Sequence, residues 1–99
     1  MPPLLDDTEI ERLLAGLPGW ARAGDTLRTT VELATFPVAI AVVDEVARAA
    51  EAMDHHPDID IRWRSLTFTL STHSEGGITG LDIDLAHRIS EIVTAHPVA

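Results

Sequence analysis

The amino-acid sequence predicts an α+β domain of element order α-β-β-α-β-β-α, a four-stranded antiparallel sheet with three helices on one face. Three observations lead there. Two hairpin-like segments, Trp20 to Thr35 and Asp58 to Ser71, contain runs in which apolar and polar residues alternate with period two. Three other segments carry apolar residues three and four positions apart, the spacing of a helix face. Finally, 99 residues, 45% of them apolar, suffice for one hydrophobic core and fall short of two. The chain, residues 1–99, therefore reads as a single domain.

Asp6-Asp7-Thr8 offers N-cap candidates for a helix over about residues 7–15, with Ile10, Leu13, Leu14 and Leu17 at helical spacing and stop signals at Gly16 and Pro18. Trp20 and Ala21 open a strand that turns at Ala23-Gly24-Asp25. On the returning strand Leu27, Thr29, Val31, Leu33 and Thr35 alternate with Arg28, Thr30, Glu32 and Ala34. Thr35 can cap the next helix, and Pro37 sits in its first turn, where a missing N–H costs nothing. Ala39, Val42, Val43, Val46, Ala50 and Met53 form the stripe of that long helix. It runs to about His55, because His56 precedes Pro57 and is steered out of the α region.

Ile59, Ile61 and Trp63 then alternate with Asp58, Asp60, Arg62 and Arg64, and Leu66, Phe68 and Leu70 alternate with Thr67, Thr69 and Ser71. The bend between these strands is expected around Arg64-Ser65. Continued alternation would place His73 on the face of Thr67, Thr69 and Ser71, away from the core. Gly76-Gly77 makes a turn, Thr79 is the next N-cap, and Leu85, Ala86, Ile89, Ile92 and Val93 line a last helix ending before Pro97. Helices cover one sheet face and leave the other to solvent, a ligand or another subunit. Trp63 and the alternating strands point to self-association.

Composition narrows the function. A formal charge of −9, with no Lys and seven Arg, argues against a nucleic-acid partner, which needs clustered positive charge, and against anionic membrane surfaces. Without Cys there is no disulfide, thiolate nucleophile or thiolate metal site. The N-terminus lacks a basic region and a long apolar segment, and the longest apolar run is Val38–Val43. Neither a signal peptide nor a membrane span is indicated, and a cytoplasmic location is expected.

Glu51-Ala-Met-Asp-His-His-Pro-Asp58 is the richest stretch in titratable groups. Glu51 lies four residues before His55, so on one helix the carboxylate can orient the imidazole. The same histidines would serve equally as an ordinary helix end, bonding its last carbonyls. His73 is otherwise a polar strand-end residue. Asp82 follows Thr79 at capping-box spacing, so it either borders a site or closes a helix end. His87 and His96 fit no pattern and read as surface residues. Zinc is disfavoured because adjacent histidines diverge and neither a His-x₃-His pair nor a Cys is present; no Ser stands in a nucleophile elbow. Metal-free acid–base chemistry remains.

The run Glu51-x₃-His55-His56-Pro57-x₅-Trp63-x₉-His73-x₈-Asp82 resembles the signature of the pterin-4a-carbinolamine dehydratases. Leu70-Ser71-Thr72-His73, Gly77-Ile78-Thr79 and Asp82-x₂-Leu85-Ala86-x₂-Ile89 match around it, so residues 36–90 resemble the family closely. Leu17-Pro18-Gly19-Trp20 and Phe36 resemble its looser N-terminal part. The resemblance implies an enzyme that dehydrates 4a-hydroxytetrahydropterin to quinonoid dihydropterin, recycling the cofactor of aromatic amino acid hydroxylases. It implies a small pterin as substrate, a homodimer or homotetramer, and no cofactor or metal. It assigns catalysis to His55, His56 and His73, with His55 and His73 as the proton-transfer pair and His56 orienting the pterin. Supporting or substrate-binding positions are Glu51, Pro57, Asp58, Trp63, Thr72 and Asp82.

Two departures bear on the pocket rim and on substrate preference. Arg64-Ser65 stands where the family commonly shows Asn and a basic residue, and Ile59-Asp60 replaces an often aromatic pair. A non-catalytic alternative exists, because relatives of this fold serve as assembly factors for a carbon-fixing enzyme; these typically lack catalytic positions, whereas all three histidines are present here. A ligand-free oligomeric scaffold is a third reading. The transcription-factor dimerisation role of animal family members finds no support in the sequence.

Overall fold

The computed structural model describes residues 2–99. Its elements are α1 (Asp7–Leu14), β1 (Ala21–Ala23), β2 (Thr26–Glu32), α2 (Phe36–Met53), β3 (Asp58–Arg62), β4 (Ser65–Leu70), a 3₁₀ turn (His73–Glu75) and α3 (Gly80–Thr94). The fold is α+β in the predicted order. All pairings are antiparallel and the strand order is β1-β2-β4-β3, so the two hairpins meet along β2 and β4.

Register decides which face is buried. Leu27 lies opposite Leu70, Thr29 and Ile59 opposite Phe68, and Val31 and Ile61 opposite Leu66, which places these residues on one face. Leu27, Leu66, Phe68 and Leu70 are buried in one core cluster with Val42 and Val46 of α2 and Leu85, Ala86 and Ile89 of α3. Arg28, Thr30, Glu32, Thr67, Thr69, Asp58, Asp60 and Arg62 occupy the opposite face, which no helix covers.

Local chemistry sets the helix starts. Asp6 accepts a hydrogen bond from Glu9 N–H at 2.8 Å while the Glu9 carboxylate accepts from Asp6 N–H, a reciprocal capping box. Thr35 Oγ1 accepts from Val38 N–H at 3.2 Å, and Pro37 needs no acceptor. Thr35→Ala is expected to lower stability by about 0.5–2 kcal/mol, read as an earlier urea midpoint at unchanged slope.

Several expectations are corrected. β2 ends at Glu32 and not at Thr35, because the C-terminal tail takes over the pairing: Leu33 bridges Val98, Ala34 N–H donates to Pro97 O, and Ala99 N–H donates to Glu32 O. His96 is accordingly no surface ring. It is half-buried, with Nδ1 2.9 Å from Ile92 O and Nε2 3.1 Å from Glu45 Oε2, tying the end of α3 to α2. The bend of the second hairpin is Trp63-Arg64, one position earlier than expected. Arg62 pairs with Ser65 across it, and Trp63 takes φ 53°, as a two-residue hairpin loop requires of a central residue. Trp63 is therefore a turn residue and not a strand residue; it is 69% exposed, with the Arg64 guanidinium 4.5 Å from its ring centroid.

Candidate active site

α2 stops at Met53, two residues before His55. Asp54 adopts the left-handed conformation, with φ 48° and ψ 44°, and lets the chain close back on the helix: Asp54 N–H donates to Ala50 O and Glu51 O, and His55 N–H donates to Ala50 O at 3.1 Å. The expectation that His55 shares a helix face with Glu51 is thereby corrected. The last carbonyls are satisfied by backbone N–H groups, so the His55 side chain is free to turn inward, and Glu51 meets the next residue. Its Oε2 lies 2.5 Å from His56 Nε2, and both side chains are exposed.

His55 is buried, and its Nε2 lies 2.6 Å from Oδ1 of Asp82, in the first turn of α3. Asp82 is 0% exposed. A buried carboxylate is tolerated when its oxygens are filled, and these are. Oδ2 accepts from Thr79 N–H at 2.9 Å and from the Thr72 hydroxyl at 2.8 Å. Asp82 thus closes the capping box of α3 with one oxygen and holds an imidazole, 27 positions away in sequence, with the other. Thr72 and Thr79 are buried and their hydroxyl oxygens are 2.7 Å apart.

His73 stands beside this cluster in the chain, immediately after Thr72, but its environment differs from the expected one. β4 ends at Leu70, so the period-two alternation does not reach residue 73. Thr72 N–H instead donates to Gly77 O, and His73 opens the 3₁₀ turn with an exposed side chain. Pro57 is half-buried after His56, and Asp58 begins β3 on the uncovered sheet face, opposite Thr69.

Direct contacts therefore join His55, Asp82 and Thr72, and separately join His56 and Glu51. Trp63 is apart from both, at the far end of β3, about 16 Å of extended chain from Asp58. Thr79 enters the cluster as more than a cap. Its N-cap signal is visible in sequence, while its hydroxyl contact to Thr72 depends on how the 3₁₀ turn folds back.

Among the described residues no three His, Asp or Glu side chains converge closely enough to hold a metal ion. A cavity of about 270 Å³ bounded by Leu17, Trp20, Val31, His87, Ser90 and Val93 flanks the second half of α3, whereas Asp82 lies in its first turn. One imidazole, His55, is held by a buried carboxylate, while the exposed His56 directly follows it and the exposed His73 directly follows Thr72 of the same hydrogen-bond network. This donor and acceptor set suits proton transfer to a small molecule.

The chain is similar to known proteins over most of its length. Residues 3–92 match the family model described as pterin 4 alpha carbinolamine dehydratase. A protein of Nocardia farcinica is 61% identical over 89 residues, 90% of this chain and 94% of its own, and one of Roseiflexus castenholzii is 57% identical over 93 residues, 94% of this chain and 100% of its own. Both are provisionally named pterin-4-alpha-carbinolamine dehydratase. A crystal structure of a transcriptional coactivator/pterin dehydratase from Brucella melitensis superposes with a TM-score of 0.89 at 30% identity, covering 92% of this chain and 99% of that one. A pterin dehydratase-like RuBisCO assembly factor of the alpha-carboxysome superposes with a TM-score of 0.67 at 18% identity, over 76% of this chain and 89% of that one, a likeness of fold alone. With a family model spanning nearly the whole chain and relatives above half identical, the chain belongs to the pterin 4 alpha carbinolamine dehydratase family.

Proposed function

We propose that this chain dehydrates 4a-hydroxytetrahydropterin to quinonoid dihydropterin by histidine acid–base catalysis, in the recycling of a tetrahydropterin cofactor. One observation carries the reading: the His55 ring is held by the buried Asp82 carboxylate at 2.6 Å, beside His56 and, through Thr72, His73. Chemically, a base removes the N5 proton, the N5–H electron pair becomes the second bond of C4a=N5, and the C4a–O bond breaks. An acid protonates the departing hydroxyl, which leaves as water. The step needs no electron donor and no metal, only two proton-transfer groups in reach of one face of a ring.

His55 and His73 are the proposed pair, while His56, anchored to Glu51, binds or orients the pterin, and Pro57, Asp58 and Thr72 support the site. The assembly-factor alternative draws only on an 18% identical neighbour, whereas relatives at 57–61% identity carry the dehydratase name. The enzyme is proposed to act in the cytoplasm as a homodimer or homotetramer. Support for self-association comes from the exposed apolar side chains Phe36 and Ile40 on α2 and Ile61 on the edge strand β3.

The test is the decay of freshly generated 4a-hydroxytetrahydropterin followed by absorbance. Wild type is expected to accelerate it well above the spontaneous rate, and His73→Ala to lose roughly 10²-fold or more of that acceleration. A folded wild type that leaves the spontaneous rate unchanged would overturn the proposal. Sedimentation at the 10.7 kDa monomer mass would remove the oligomer.

A further inference from the structure

We propose that the cavity between the loop of residues 16–20, β2 and the second half of α3 is a second small-molecule site, shaped for an uncharged bicyclic aromatic ring that carries a hydrogen-bond acceptor. The proposal does not depend on the dehydratase reading. Nor is this the histidine cluster, because Ser90 follows Asp82 by eight residues, about 12 Å along α3.

The loop stands off the core because it is tied at two points. Leu17 N–H donates to Leu14 O and Trp20 N–H to Leu17 O, which folds the chain tightly after α1. Gly19 takes φ 87°, a backbone that a side chain would strain. Its carbonyl accepts from the Thr29 hydroxyl at 2.7 Å and so fixes the loop to β2. Trp20 Nε1–H donates to Ser90 Oγ at 2.9 Å and fixes it to α3. Held at both ends, the loop spans a gap of about 270 Å³ instead of collapsing into it. An apolar cavity of about 150 Å³ already admits benzene, so this one has room for two fused rings.

The lining selects the ligand's chemistry. Leu17, Trp20, Val31, Ile89 and Val93 supply apolar wall, and no Asp, Glu or Arg bounds the cavity, although the chain holds sixteen acids and seven Arg. An ionised ligand would lose its hydration there and gain no counter-charge. One hydrogen-bond donor is free. Ser90 Oγ accepts from Trp20 but finds no acceptor for its own hydrogen among the described residues, unlike Thr94, whose hydroxyl donates back to Ser90 O at 2.8 Å. A carbonyl on the ligand would complete that hydroxyl, and the exposed His87 gives the site a polar rim. A pterin fits poorly. Its amino group, ring N–H and ring nitrogens need more partners than this wall offers, and each left unpaired weakens binding.

Coumarin, a neutral bicyclic lactone with a carbonyl acceptor, is the probe, titrated into the nitrogen-15-labelled full chain. Two Trp give two indole N–H signals: Trp20 lines the cavity, and Trp63 stands exposed in the β3–β4 turn. The Trp20 indole and the Gly19, Ser90 and Val93 amides are expected to shift together and saturate with a Kd below about 1 mM. The Trp63 indole and the Thr72 and Asp82 amides should stay in place. 2-Naphthoate, of similar size but charged, and pterin should each bind at least roughly 10-fold more weakly.

Ser90→Ala should weaken coumarin roughly 3–10-fold, and Val93→Phe, which fills the cavity, should abolish the shifts. Absence of a saturable shift at Trp20 in wild type overturns the proposal. So do shifts of equal size at Asp82, 2-naphthoate or pterin binding as tightly as coumarin, or a folded Val93→Phe chain that still binds. The wild-type outcomes decide the matter even if the filled variant does not fold, and none of them involves the rate of dehydration.

Discussion

Removing the His55 imidazole in His55→Ala is expected to slow dehydration of 4a-hydroxytetrahydropterin by roughly 10²–10⁴-fold, the contribution of one positioned acid or base. In transition-state terms this is about 2.7–5.4 kcal/mol. The variant also deprives the fully buried Asp82 of a hydrogen-bond partner, so a stability loss of about 1–3 kcal/mol should accompany it. The two effects are separable with His55→Gln, whose amide can still donate to a carboxylate but offers no basic nitrogen. His55→Gln should recover part of the stability, seen as a later urea midpoint than His55→Ala, and none of the rate. A glutamine variant that turns over as fast as wild type would show that His55 only builds the fold.

Phe68→Ala should cost about 3–5 kcal/mol, a large share of the 5–15 kcal/mol that a domain of this size has in total. Phe68 is completely buried in β4, an inner strand, with Thr29 and Ile59 as its cross-strand partners. It belongs to the core cluster that also contains Val42 and Val46 of α2 and Leu85 and Ile89 of α3, so truncation removes volume from a core shared by the sheet and two helices, which can close on it only in part. Thr67→Ala, one position away, is the control. Its hydroxyl bonds Thr30 at 2.9 Å on the uncovered face, and its loss should cost within about 0.5 kcal/mol. Equal urea midpoints for the two variants would mean that the sheet face covered by helices has been misassigned.

What the sequence determined by itself is what depends on neighbours within about one helical turn or along one strand. Leu66, Phe68 and Leu70 alternate with Thr67 and Thr69 because a strand has period two, and that alternation was enough to choose the buried face. Asp6, Thr35 and Thr79 could be recognised as caps because the N–H groups they satisfy lie two or three residues on. The His-His-Pro stretch and His73 could be singled out as chemistry by residue type, and the family resemblance joined them with Asp82 into one signature.

Tertiary structure decided which of those groups meet. A stop at Met53 instead of His55 shifts α2 by only two residues, within the ordinary uncertainty of a helix end. That shift hands Glu51 to His56 and turns His55 toward Asp82. His96 offered no local sign of its contact with Glu45, 51 positions earlier, and Leu33, just past β2, gave none of its bridge to Val98. Trp63 continued the strand alternation in sequence, yet the hairpin register places it in the turn. The physical reason is common to all of these. Local hydrogen bonds and periodicity are written in adjacent residues, whereas the partner of a buried polar group is chosen by how separate elements pack, and the cost of leaving that group unpaired is what enforces the choice.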